Sequence, residues 1–414
     1  MVTGTTAAAQ GDSRDTSLGY LRAFTVLLVV AHHVATAYAA VMPGPAHAFP
    51  GQALDRIWGA FPIVGRQGSP VFAILLGLDD TFFMSLLFLL SGVFVCRSVD
   101  RRGIEGFARS RIVRLGIPFV LGALLLAPLA YLPAFLQITR GGGLGDFVAR
   151  WFGTPNLTAG PMWFLWLLLA FDLVAALLFL VWKGWAGGLG RILPDGARRP
   201  GLYFLTLLLL SMAAYIPLAA AFGSSHWTLL GAFDVQTSRL VHYALYFTVG
   251  VALGAADPQR SLLSPAGGLA RGWWAWLLVS SIAVVFAGAD VAVVATAKGL
   301  TPPVREAIGG VAFALVCASL CFLFLAVFLR FVRRANPVMD SLQANAYGIF
   351  IMHYAFVNWL NYALLGADVA VGGKFAIAFL GAAGLSWLTA ALLRRLVGPA
   401  ASSRGVRQVA AAAS

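Results

Sequence analysis

The sequence predicts an all-α polytopic membrane protein with about ten transmembrane helices. Three observations lead there. Of the 414 residues, 60% are hydrophobic and only 11% charged, too little polarity to clothe a soluble protein of this length. Apolar runs of about 20 residues recur along the whole chain, each long enough to cross a hydrocarbon core roughly 30 Å thick. The basic residues, finally, sort onto one side of the spans so defined.

Helices are the expected element because lipid offers backbone polar groups no partner outside their own segment, a closed barrel excepted. A barrel would show segments of about ten residues with alternating character, whereas 120–129 and 311–329 are apolar on nearly every face. In chain order the predicted spans are 19–41, 80–97, 112–136, 161–182, 201–222, 240–256, 273–296, 307–332, 341–365 and 374–396. An even number puts both termini on one side. That side collects 21 of the 29 lysines and arginines and the other side 8, so both termini are expected in the cytoplasm of a multi-pass protein of a bacterial inner or plasma membrane. Residues 1–18 and 399–414 read as cytoplasmic tails around a membrane domain of 19–398. The longest connection, 42–79, holds five prolines and reads as an external loop with short helical or re-entrant pieces.

The net charge of +13 does not call for nucleic acid, because the charges are dispersed over loops with no basic domain to hold them. Cys96, Cys317 and Cys321 fall within or at the ends of spans, so neither a disulfide framework nor a metal site is expected. Arg14 and Arg22 ahead of an apolar run imitate a signal peptide. His32 and His33 interrupt that run, which predicts a retained helix. No internal repeat is found, so the inverted-repeat signature of secondary transporters is missing.

Chemistry must come from the few ionisable groups inside the membrane, where burial is expensive. On the first helix Arg22 and His33 are eleven residues apart, which brings them within about 20° of one face and separates them by roughly 16 Å along the axis. That face offers a cation at the cytoplasmic edge and an imidazole near mid-membrane. His32 points about 100° away and is the weaker candidate. At the start of the third span Arg111 and Arg114 share a face and can grip phosphates, the bland alternative being a plain topology signal. Asp172 and His353 lie at a depth similar to that of His33, placed to orient it or to stabilise charge, or else simply packed in the core.

An Arg, ten residues, then a His on the first helix, followed by Arg-x-x-Arg on the third, resembles the acyltransferase 3 family. Further stretches are similar to it, and to its branch containing glucans biosynthesis protein C: Phe83 to Gly92, Gly160 to Trp166, and Ala346 to Tyr354. The resemblance implies a ten-helix core, acyl-CoA as donor, and a hydroxyl of a carbohydrate or glycosylated small molecule as acceptor. His33 takes the place of the family's essential histidine, and Arg22, Arg111 and Arg114 those of its motif arginines. One departure stands out: many members carry Asp three residues before the first-helix Arg, where this chain has Gly19. The expected function is O-acyl transfer of a short group such as acetyl or succinyl. His33 would act as general base or as carrier of a transient acyl group. The alternative is a proton-coupled transporter or flippase using His33, Asp172 and His353 as a proton path.

Overall fold

The computed structural model describes residues 2–39, 63–139, 142–153, 158–228, 230–257, 260–297 and 299–397, with side chains from residue 14 onward except at 292, 293 and 295. Twelve helices organise the part that positions the site: α1 (Val2–Ala35), α2 (Pro70–Val93), α3 (Val95–Thr139), α4 (Leu144–Gly153), α5 (Trp163–Val181), α6 (Trp185–Ile192), α7 (Pro200–Phe222), α8 (Leu240–Ala255), α9 (Trp273–Thr296), α10 (Pro302–Phe331), α11 (Pro337–Ala363) and α12 (Val371–Val397). The only sheet among the described residues is a two-stranded antiparallel hairpin, β1 (Trp227–Thr228) with β2 (Val235–Gln236). Each predicted span coincides with a helix. Eight of the helices are long and apolar enough to cross a membrane. The two predicted spans outside that set have separate reasons. α8 has only 16 residues, and α11 buries Asn345, His353, Asn358 and Asn361 on its inward face.

Three boundaries differ from the sequence reading. The second helix starts at Pro70 rather than residue 80, with Ser69 as its N-cap and Pro70 in its first turn. The connection before it is correspondingly shorter, and residues 40–62 of it lie outside the described residues. The stretch 98–111, expected as a loop, is helical and runs on into the third span, broken by Gly103 at φ 70°, ψ 170°. The first helix begins at Val2 rather than near residue 19, while the tail from 398 lies outside the described residues.

Packing centres on α1, which lies against α2, α10, α11 and α12. α2 and α8 approach so closely that a Cβ on Gly92 would sit 2.2 Å from the Phe247 carbonyl oxygen, and one on Gly250 2.1 Å from that of Leu89. Small residues at such a crossing let two backbones meet where lipid gives little hydrophobic drive for association. In α3, Pro133 has no N–H to give the Leu129 carbonyl, and the Trp359 indole of α11 donates to that oxygen at 3.0 Å. Asn358 donates to the neighbouring Ala130 carbonyl at 3.0 Å, so α11 is pinned to the proline segment of α3.

Candidate active site

Arg22, Val26, Val29 and His33 follow one another at steps of four, three and four residues and so form one stripe along α1. Three cavities lie along that stripe. The first, about 390 Å³, is a basic mouth lined by Arg22, Arg97, Arg101, Arg102, Arg111 and Arg114, with Asp15 and Gln343. The second, about 440 Å³, shares Arg22, Arg111, Arg114 and Gln343 with the mouth and continues between Val26, Leu87, Phe164, Leu168 and Phe350. The third, about 80 Å³, holds Val29, His32, His33, Asp80, Met84, Trp163 and Tyr243, and reaches Trp227 and Gln236 of the hairpin. A separate polar cavity of about 210 Å³, bounded by Arg191, Asp195, Arg260 and Ser261, shares no residue with these three.

The third cavity is bordered, through His32 and His33, by a titratable cluster. The His33 ring lies 5.3 Å from that of His353 and 4.9 Å from that of Tyr354, and meets the His32 ring edge-on at 5.2 Å. His353 Nδ1 donates to the Phe350 carbonyl at 2.6 Å, which leaves its Nε2 buried without a protein partner. His33 Nδ1 is likewise buried and unpartnered. The two neighbouring rings thus each keep a nitrogen that no protein group engages, which leaves the pair able to accept or hand on a proton. Sequence reasoning placed His33 and His353 at similar depth, and the structure brings them together. His32 is not peripheral. Its Nδ1 donates to the buried Asp79 carboxylate at 2.8 Å, so it braces His33 from the side. Next to that pair, Asp80 is bound by Arg239 at 2.6 Å through its carboxylate and at 2.9 Å through its carbonyl.

Asp172 is not in this cluster. Its carboxylate lies 3.2 Å from Arg111 Nε, so the structure gives it to the arginine end of the stripe rather than to His33. No ion pair is recorded for Arg22 or Arg114 among the described residues, and both line the two larger cavities. The Arg114 carbonyl accepts from Tyr347 OH, within a π-helical turn spanning Ile112–Gly116. Gly19 has a structural counterpart: a Cβ there would lie 2.4 Å from the amide of Gln343, whose side chain fills the space and lines both larger cavities.

At the opposite end, the hairpin caps the third cavity. Gln236 donates to the Ser224 carbonyl at 2.6 Å, Ser224 N–H to Glu306 at 3.1 Å, and the Trp166 indole to the Asp234 carbonyl at 3.1 Å. Asp234 is 2% exposed. Burial pushes its carboxyl up to about 7, against hydrogen bonds from Thr158 and the Ala159 backbone that favour the ionised form.

Sequence reasoning missed Asp79, Asp80, Gln343 and Tyr131, whose hydroxyl lies 3.4 Å from that of Tyr354. For the two aspartates a signal existed. Ser69-Pro70 is a helix-start pattern, and beginning the span there brings Asp79 inside it and moves Asp80 from its first position to its interior. Gln343 and Tyr131 carry no local signal, because their roles come from which helix faces which.

Fold and site together define a multi-pass membrane protein in which a buried histidine pair is approached through an arginine-lined mouth. The chain belongs to the acyltransferase 3 family: residues 15–391 match the family's acyltransferase domain. No curated protein and no solved structure matches it.

Proposed function

We propose that this membrane acyltransferase moves a short acyl group, such as acetyl or succinyl, from acyl-CoA to a hydroxyl of a carbohydrate or glycosylated small molecule. The observation that carries this reading is the order of the cavities along α1: basic, then apolar, then histidine-lined. CoA phosphates suit the arginine mouth, because guanidinium groups bind phosphate through paired, charge-assisted hydrogen bonds. Arg22 and Arg114 are the free grips. Arg111 is held by Asp172, whose proposed part becomes positioning that arginine. The pantetheine arm then occupies the apolar cavity and carries the thioester toward His33.

From the outer side, Trp163, Trp227 and Tyr243 offer aromatic faces, and Gln236 and Asp80 offer polar groups, a mixture that suits a polyhydroxylated ring. His33 takes the proton of the incoming hydroxyl as its oxygen attacks the thioester carbon. The new C–O bond forms, the C–S bond breaks, and the same proton passes to the departing CoA sulfur. His353, through its open Nε2, stands beside His33 to steady the charge that develops. Attack by His33 itself, with a transient acyl-imidazole, fits the same geometry. The family assignment gives no support to the transporter alternative.

His33→Ala tests the assignment. General-base catalysis is worth about 10²–10⁴ in rate, so transfer by purified protein should fall at least a hundredfold with expression and insertion intact. A loss below tenfold would remove His33 from the role.

A further inference from the structure

The apolar cavity and the histidine cavity are lined by different residues with one exception, Phe350, which borders both. On α1 the changeover falls between Val26, which lines the apolar cavity, and Val29, which lines the histidine cavity, a step of roughly 4.5 Å along the axis. α11 runs a second stripe beside the first: Gln343 at the mouth, Tyr347 in the apolar cavity, Phe350 at the boundary, and His353 and Tyr354 against His33. The boundary ring is 4% exposed and packs edge-to-face on Phe164 with centroids 5.4 Å apart. Its backbone is fixed, since the Phe350 carbonyl accepts from His353 Nδ1. The volumes on the two sides are about 440 and 80 Å³. The ring stands where the two cavities meet, and the space on the His33 side of it is small.

We propose that the Phe350 ring is a specificity gate: it separates the donor cavity from the histidine cavity, limits which acyl groups reach His33, and keeps water from the acceptor side off the thioester. This rests on the acyl-CoA reading above. A gate of this kind makes two things depend on one side chain that a purely structural residue would leave unlinked, acyl-length preference and the ratio of hydrolysis to transfer. Enlarging the opening should relax both together.

Full-length protein in detergent, as wild type, Phe350→Leu and Phe350→Ala, is assayed with acetyl-, butyryl- and hexanoyl-CoA, with and without a sugar acceptor. Binding of non-hydrolysable S-alkyl CoA thioethers is measured in parallel by calorimetry. In Phe350→Ala the hexanoyl-to-acetyl rate ratio and the acceptor-independent hydrolysis should each rise at least tenfold, with Phe350→Leu between it and wild type. Affinity for the CoA head-group fragment adenosine 3′-phosphate 5′-diphosphate, which the arginine mouth alone would hold, should stay within about threefold. If Phe350→Ala does not fold, Phe350→Leu carries the comparison, and it should raise both quantities at least threefold. A wild type that transfers acyl groups while both variants keep its length profile and hydrolysis ratio would overturn the gate alone. A wild type that neither binds the thioethers nor turns over any acyl-CoA would overturn the donor assignment and the gate with it.

Discussion

The His32–Asp79 pair gives the sharpest expectation. Its two side chains are 10% and 3% exposed and joined at 2.8 Å, with Phe83 against the His32 ring at 5.3 Å. Asp79→Leu removes the acceptor and leaves the buried His32 Nδ1–H unpaired. His32→Leu leaves a buried carboxylate without its partner. Breaking a buried pair from one side typically costs about 3–5 kcal/mol, whereas replacing both members by apolar groups is often close to neutral. The double variant should therefore be more stable than either single one, with a coupling energy of at least about 1.5 kcal/mol. Unfolding by denaturant in mixed micelles reads stability, and acyl transfer is measured on the same preparations. The double variant should recover stability without recovering rate, since the His32 ring that braces His33 edge-on is gone. Single variants within about 0.5 kcal/mol of wild type, or additive effects, would refute the idea that this pair braces the site.

At the arginine mouth, Arg114→Ala should weaken acyl-CoA binding by about 1.5–3 kcal/mol while leaving acceptor dependence alone, as measured by calorimetry. Arg111→Ala should in addition lower thermal stability, because it strands Asp172, which is 1% exposed. In the hairpin, burial raises the Asp234 carboxyl to about 7 in the folded protein against 3.8 for the free side chain, so the folded state holds the proton more tightly and loses stability as pH rises from about 4 through 7. Asp234→Asn should flatten that decline in melting curves taken across the range, and an unchanged slope would count against the burial argument. Reporter fusions in the segment 40–62 should read external and fusions after residue 398 cytoplasmic; the reverse would remove the cytoplasmic donor mouth.

Composition and apolar run length were enough to place ten helices, because in lipid each span must satisfy its own backbone and so announces itself in the sequence one segment at a time. The single-helix stripe from Arg22 to His33 was legible for the same reason, helical phase being a local property. The tertiary structure decided everything that depends on which face meets which. Asp172 and His353 looked equivalent by depth, yet one faces Arg111 and the other faces His33. His32, turned away from His33 by helical phase, is bound to the site through Asp79 of the neighbouring helix. Gly19 looked like a missing carboxylate until Gln343 of α11 proved to fill its place. Phe350 had no signal of its own, since a phenylalanine in a membrane helix is ordinary packing until two cavities meet at its ring. Depth and phase are fixed along one helix by its own residues, whereas rotation and crossing between helices are fixed only when their side chains interlock.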